Sequence, residues 1–301
     1  MSFSPKGIIV PIITPTTPDG HFNEVEYRRL IEYLASNGIH GVFPFGTTGE
    51  FYAFDDDEYR NVLEVTVDAV KGRMTVYAGA NHIMTKKAIQ IAGIAQRAGV
   101  DALSILTPFF ISQTQEEIYT FYQTIASETD LPIIIYNNKP KTNVTVDPET
   151  ILRLSEIPNI VGVKDSTGDM TNTEEYIRLT RHRQDFNVLM GRDTLIYAAL
   201  CYGGAGAIAS CANIAPQLAV RIYNAFLEGN HQEALEAQFQ LSRLRVISDI
   251  GTFPVFIKEG LQMLGFNVGS CVPPIQPLSG PRRAQLKATL ESIGILPPAG
   301  V

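Results

Sequence analysis

The chain has 301 residues, 45% of them hydrophobic and 18% charged, with a formal net charge of -7. That balance fits a globular protein able to bury a full apolar core, and the acidity argues against a nucleic-acid surface. No apolar run approaches the roughly 20 residues of a membrane span, and Met1-Ser2-Phe3-Ser4-Pro5-Lys6 lacks the hydrophobic centre of a signal peptide, so a cytosolic location is expected.

Along the chain, short apolar runs alternate with longer amphipathic stretches. Residues 7–13 are the first strand candidate and 24–37 the first helix, with Gly38 placed as a C-cap glycine. Residues 41–45 are the second strand, followed at once by Gly46-Thr47-Thr48-Gly49-Glu50. Here Gly46 lets a ligand approach the backbone, while two hydroxyls and a row of N–H groups suit a carboxylate. Helix 55–70, strand 75–79, helix 85–98, strand 102–106 and helix 115–128 continue the pattern. Strand 132–136 ends on Tyr136, and helix 147–155 opens on Asp147-Pro148-Glu149, an N-cap followed by proline at the first helical position. Strands 160–164, 187–190 and 206–209 bring the count to eight.

Eight such alternations about 30 residues apart predict an α/β fold of the closed (β/α)8 TIM-barrel type rather than an open doubly wound sheet. The barrel is expected over residues 1–229. Residues 230–301 show no strand pattern and read as additional C-terminal helices packed on it, interrupted near Pro254 and Pro273-Pro274. No Gly/Ser linker or charge block marks a second independent domain.

The sixth run, Asn159-Ile160-Val161-Gly162-Val163-Lys164-Asp165, ends abruptly on a lysine. A strand buried on both faces reads as a continuous apolar run, which places Lys164 at its C-terminal lip. Losing water there favours the neutral amine, the form that attacks a ketone to make a Schiff base. Tyr136 closes a similar run 28 residues upstream. One crossover unit fits that interval, so the two residues should end neighbouring parallel strands about 4.8 Å apart, where a phenol beside an amine can pass protons. In an eight-stranded barrel the second strand lies opposite the sixth, so Thr47 and Thr48 should face Lys164 across the mouth that holds the active site in such folds. A small 2-oxo acid would rest its carboxylate on the threonines and offer its ketone to the lysine.

Arg192, at the end of the seventh strand, is placed with Lys139 and Lys141 to read an acidic distal group, and Ser166, Thr167 and Asn213 to bind hydroxyls. Gly203-Gly204-Ala205-Gly206 precedes a strand instead of following one, so it is not a dinucleotide fingerprint. The rival lysine, Lys258, falls in the helical tail and reads as solvated or salt-bridged. Cys201, Cys211 and Cys271, odd in number and without CxxC spacing, read as free thiols. The five histidines are scattered without HExxH spacing, so no metal site is expected.

Gly46-Thr47-Thr48-Gly49-Glu50, Tyr136-Asn137 and Gly162-Val163-Lys164-Asp165, in that order and spacing, resemble the dihydrodipicolinate synthase and N-acetylneuraminate lyase family of class I pyruvate-dependent aldolases. The resemblance runs over nearly the whole chain. It implies that Lys164 forms the pyruvate Schiff base, with no cofactor beyond that covalent imine, and that Tyr136 and Thr47 relay protons. It further implies that Thr48 binds the pyruvate carboxylate, that Gly191 and the backbone near Ile208 line the pocket, and that the protein is a homo-oligomer, a dimer or tetramer. Two positions depart from the family pattern. Phe110 stands where members usually carry a tyrosine that completes the relay across a subunit interface, and Lys141 where synthase members carry an arginine that grips the aldehyde's carboxylate. Lysine still pairs with an anion, but without the bidentate fork.

These departures, with the weak cue of Phe51 after Glu50, direct the main expectation toward a lyase acting next to pyruvate on a 2-keto-3-deoxy sugar acid. The partners expected are a 2-oxo acid and an aldehyde, with neither nucleic acid nor membrane. The alternatives are dihydrodipicolinate synthase itself, a hydratase or dehydratase of related 2-oxo acids, and, because Phe110 breaks the relay, a non-catalytic pyruvate or sugar-acid binding protein.

Overall fold

A computed structural model of the chain describes residues 3–298. Residues 1–2 and 299–301, which include the start of the N-terminal stretch and the outer ends of both predicted segments, lie outside the described residues. Eight parallel strands close in sequential order: β1 (Gly7–Val10), β2 (Gly41–Val42), β3 (Thr75–Gly79), β4 (Ala102–Leu106), β5 (Ile133–Asn137), β6 (Ile160–Asp165), β7 (Asn187–Met190) and β8 (Gly206–Ile208). The expected (β/α)8 barrel is therefore the fold. The first two strands stop sooner than their apolar runs suggested, because Pro11 and Pro44 stand within those runs and have no N–H to give to a ladder.

Side chains alternate across each strand and sort into two apolar layers. Ile8 and Val10 join the large cluster shared with the surrounding helices, whereas Ile9, Phe43, Tyr77, Ile134, Leu189 and Ile208 meet inside the barrel. One irregularity decides which way the critical lysine faces. Ile133 pairs with Ile160, but Ile134 pairs with Gly162, so β6 carries one extra residue at Val161. A bulge of one residue reverses the facing of everything after it. Ile160 packs outward and Val161 inward; beyond the bulge Val163 packs outward again. Lys164 then pairs with Tyr136 on the inner face. In uninterrupted register it would sit beside Asn137 and point toward the helices. Gly162 is the residue this bend requires, since a Cβ there would lie 2.4 Å from the Asn187 carbonyl oxygen.

After β8 come the helices Pro216–Leu227, His231–Val246, Val255–Met263 and Gly280–Ser292. Their breaks fall at the prolines read as interruptions. Among the described residues no helix is long and apolar enough to cross a membrane.

Candidate active site

Lys164 and Tyr136 are only 3% and 4% exposed. The Lys164 Nζ lies 3.8 Å from the centroid of the Tyr136 ring and 5.2 Å from that of Phe43, against aromatic faces rather than water. Burial is the main influence on this amine and lowers its pKa below the ordinary lysine value. The Tyr136 phenol and, more distantly, Asp193 act the other way without overcoming it. For Tyr136, burial alone would raise the pKa. The charge of Lys164, with hydrogen bonds involving Thr47, Lys164 and Asn138, outweighs burial and leaves the phenol below its usual value. Amine and phenol are thus both held below their ordinary values, side by side, where a proton can pass between them.

The phenol is held from two sides. Asn138 Nδ2 donates to the Tyr136 hydroxyl at 2.8 Å, and Thr47 Oγ1 stands 3.3 Å from the same oxygen. With Asn138 using one lone pair, the phenolic proton is free to turn to Thr47. Thr47 and Thr48 reach this place because Phe45 and Glu50, at φ 57° and 55°, both adopt the left-handed conformation and fold the loop sharply over the barrel. Its outer end is fastened from far along the chain. Glu50 is fully buried, accepts from the Val272 N–H at 2.8 Å and pairs with Lys258 Nζ at 2.7 Å. Lys258 also donates to the Ser270 carbonyl at 2.8 Å. The rival lysine is therefore salt-bridged. It is not solvated.

These side chains open on a cavity lined also by Ser166, Gly191, Ile208, Ser210, Lys141, Arg192, Arg245 and Phe253. Gly191 leaves no room for a side chain, because a Cβ would lie 1.9 Å from Ser166 Oγ. Next to Lys164, Asp165 is engaged with its own shell. It accepts from Asn137, Thr167, Asn172 and Thr173, which anchors the β6 end against its neighbours.

Of the residues singled out in the sequence, Lys164, Tyr136, Thr47, Thr48, Gly191, Ile208, Lys141, Arg192 and Ser166 line the one cavity. Gly46 does not; a Cβ on it would meet the Phe43 ring at 2.9 Å, so its smallness serves packing under the loop. Lys139 is exposed and does not line the cavity. Thr167 is spent on Asp165, and Asn213 ties β1 to the loop after β8 by donating to the carbonyls of Pro11 and Ser210 and accepting from the Ile13 N–H. Phe110 is 88% exposed, at a left-handed φ of 78°, and does not line the cavity of its own chain. Six further residues line the cavity without having been singled out in the sequence: Pro11, Asn138, Pro140, Ser210, Arg245 and Phe253. Asn138, directly after a strand end already marked by Tyr136, carried a usable signal. Arg245 and Phe253 carried none, and Arg245 in particular looks like an ordinary basic last turn of a helix. All three cysteines are free, and among the described residues no three His, Cys, Asp or Glu side chains are grouped to hold a metal ion.

The model of the dihydrodipicolinate synthetase family matches residues 4–293. The chain is 36% identical over 291 residues to the 4-hydroxy-tetrahydrodipicolinate synthase of Thermodesulfovibrio yellowstonii, covering 97% of this chain and 99% of that one. Among solved structures it resembles the dihydrodipicolinate synthase of Thermotoga maritima, with a TM-score of 0.94 and 30% identity over 97% and 99% of the two chains. It also resembles a monomeric dihydrodipicolinate synthase variant, with a TM-score of 0.94 and 30% identity over 97% of each chain. These relatives are synthases, which favours the synthase alternative over the sugar-acid expectation.

Proposed function

Because the chain belongs to the dihydrodipicolinate synthetase family, whose members are class I aldolases working through a covalent lysine–pyruvate imine and no separate cofactor, we propose that Lys164 is the lysine that carries pyruvate. The observation that supports this most is the direct pairing of Tyr136 with Lys164 across β5 and β6, with Thr47 Oγ1 at 3.3 Å from the phenol. The neutral amine of Lys164 attacks the ketone carbon, and water leaves as the imine forms. Tyr136 and Thr47 supply and remove the protons those steps need. The protonated imine then draws electrons from the methyl carbon, which loses a proton and attacks the aldehyde. Thr48, with Gly191 and Ile208 shaping the wall, holds the pyruvate carboxylate.

The aldehyde we assign first is aspartate 4-semialdehyde, the partner used in the reaction for which the relatives are named. A 2-keto-3-deoxy sugar acid is the second reading, and one observation favours it: positions 110 and 141 lack the hydroxyl and the guanidinium usual in synthases. We further read the protein as a cytosolic homo-oligomer. Free thiols suit that compartment, and the exposed apolar side chains of Met84, Phe110 and Ile111 suit a subunit contact. Borohydride reduction in the presence of pyruvate tests the central assignment: a mass increase is expected on the peptide containing Lys164, and its absence there overturns the assignment. Assay with aspartate 4-semialdehyde against a panel of sugar-derived aldehydes then separates the two substrates.

A further inference from the structure

We propose that Arg192 and Arg245 form an anion-binding subsite at the cavity mouth, separate from position 141, that takes a terminal carboxylate or phosphate on the aldehyde partner. The inference rests on the pyruvate reading of Lys164 and specifies the substrate class for it. The two guanidiniums come from distant parts of the chain, Arg192 from the end of β7 and Arg245 from the last turn of the helix His231–Val246, yet both line the cavity that holds Lys164.

Their charges are poorly matched within the protein. Arg245 Nε lies 3.5 Å from Asp193 Oδ2, but that buried carboxylate also accepts from Ser210 Oγ at 3.0 Å and the Cys211 N–H at 2.8 Å. The Arg192 guanidinium makes neither a hydrogen bond nor an ion pair with another described residue. It is half-buried beside Gly168, where a Cβ would come within 3.2 Å of its Nε. Burial and the neighbouring charge of Arg245 hold its guanidinium below the ordinary arginine value, against weaker help from Asp193 and Asp249. Lys141 adds a third cation on the same wall, its Nζ 6.0 Å from the Phe253 ring that Arg245 also overlies. A planar, unpaired guanidinium facing a cavity is a preformed fork for two oxygens of one anion. The Thr47–Thr48 loop that receives the pyruvate carboxylate belongs to β2, on a different wall.

The test uses the borohydride-reduced pyruvate adduct, so that the imine-forming part of the site is already filled, and titrates in succinate, inorganic phosphate or glycerol calorimetrically. Succinate or phosphate is expected to bind and glycerol not to; the preference between the two anions identifies carboxylate or phosphate as the group recognised. Arg192→Gln, which breaks no internal contact, and Arg245→Lys, which keeps the charge near Asp193 but loses the fork, should each weaken the bound anion about 10- to 100-fold. Each variant is titrated as its own reduced adduct, with the adduct's mass checked first, so that a loss of anion binding is read only on protein that carries pyruvate. An adduct that binds neither anion, or binds one with unchanged affinity in both variants, overturns the subsite alone. Failure of the parent protein to form the adduct overturns the pyruvate reading and the subsite with it.

Discussion

The Tyr136 hydroxyl is poised between Thr47 and Asn138, so its loss should affect proton transfer more than binding. Tyr136→Phe is expected to lower kcat by about 10²- to 10⁴-fold, with the pyruvate adduct still forming slowly; steady-state kinetics and trapping time courses check both halves. The buried amine gives a pH signature of definite sign. Its folded pKa lies below the ordinary value of 10.5, so imine formation should rise with pH through a midpoint below that value. Stability should follow the same direction. Between the folded pKa and 10.5 the unfolded chain binds the extra proton, so the unfolding free energy rises with pH across that window and is level below the folded pKa, where both states carry the proton. Lys164→Met should remove this part of the slope in denaturant titrations. At this scale the sequence was informative where a side chain ended an apolar run, as Lys164 and Tyr136 do. It was misleading for Thr167 and Asn213, whose polar atoms are consumed by their own surroundings, and silent for Arg245, because a helix of ordinary composition does not announce which turn meets a cavity.

Among the elements, β6 and the loop after β2 carry the constraints. Gly162 lets β6 accommodate its extra residue. Gly162→Ala would press a methyl toward the Asn187 carbonyl and should destabilise the protein by about 1–3 kcal/mol, with a disproportionate fall in adduct formation as Lys164 loses its facing; urea melts and borohydride trapping report the two effects. A glycine inside an apolar run is a recognised sign of a bulge, so this feature was legible in principle, although the face of Lys164 depends on a register that only the neighbouring strand defines. The Glu50–Lys258 pair joins the loop after β2 to the helix Val255–Met263. Lys258→Met leaves a buried carboxylate unpaired and should cost about 3–5 kcal/mol. Adding Glu50→Gln should restore much of that stability, as measured by the same melts. Sequence alone put Lys258 in a helix but had no means of placing Glu50 against it, more than 200 positions away.

For the molecule as a whole, the order of eight strands was readable because each βα unit repeats locally and right-handed crossovers leave few ways to connect them. The arrangement of the helices after β8 was not, since no periodic unit dictates how they pack. Phe110 and Ile111 project from the barrel mouth side at 88% and 63% exposure, and the protein should sediment as a dimer or tetramer, with Phe110→Asp shifting it toward monomer. Sedimentation velocity decides this, and a parent protein that sediments as monomer would remove the oligomer from the reading. The same region offers a chemical test: Phe110→Tyr should increase turnover if a hydroxyl supplied there limits the reaction.

The helix that brings Arg245 to the cavity begins only after the eighth strand has closed the barrel, while Lys164 and Tyr136 belong to strands within it. A lineage built on this plan can acquire a taste for a new aldehyde by revising a few positions near one helix terminus, leaving the carbon–carbon bond chemistry inherited and untouched.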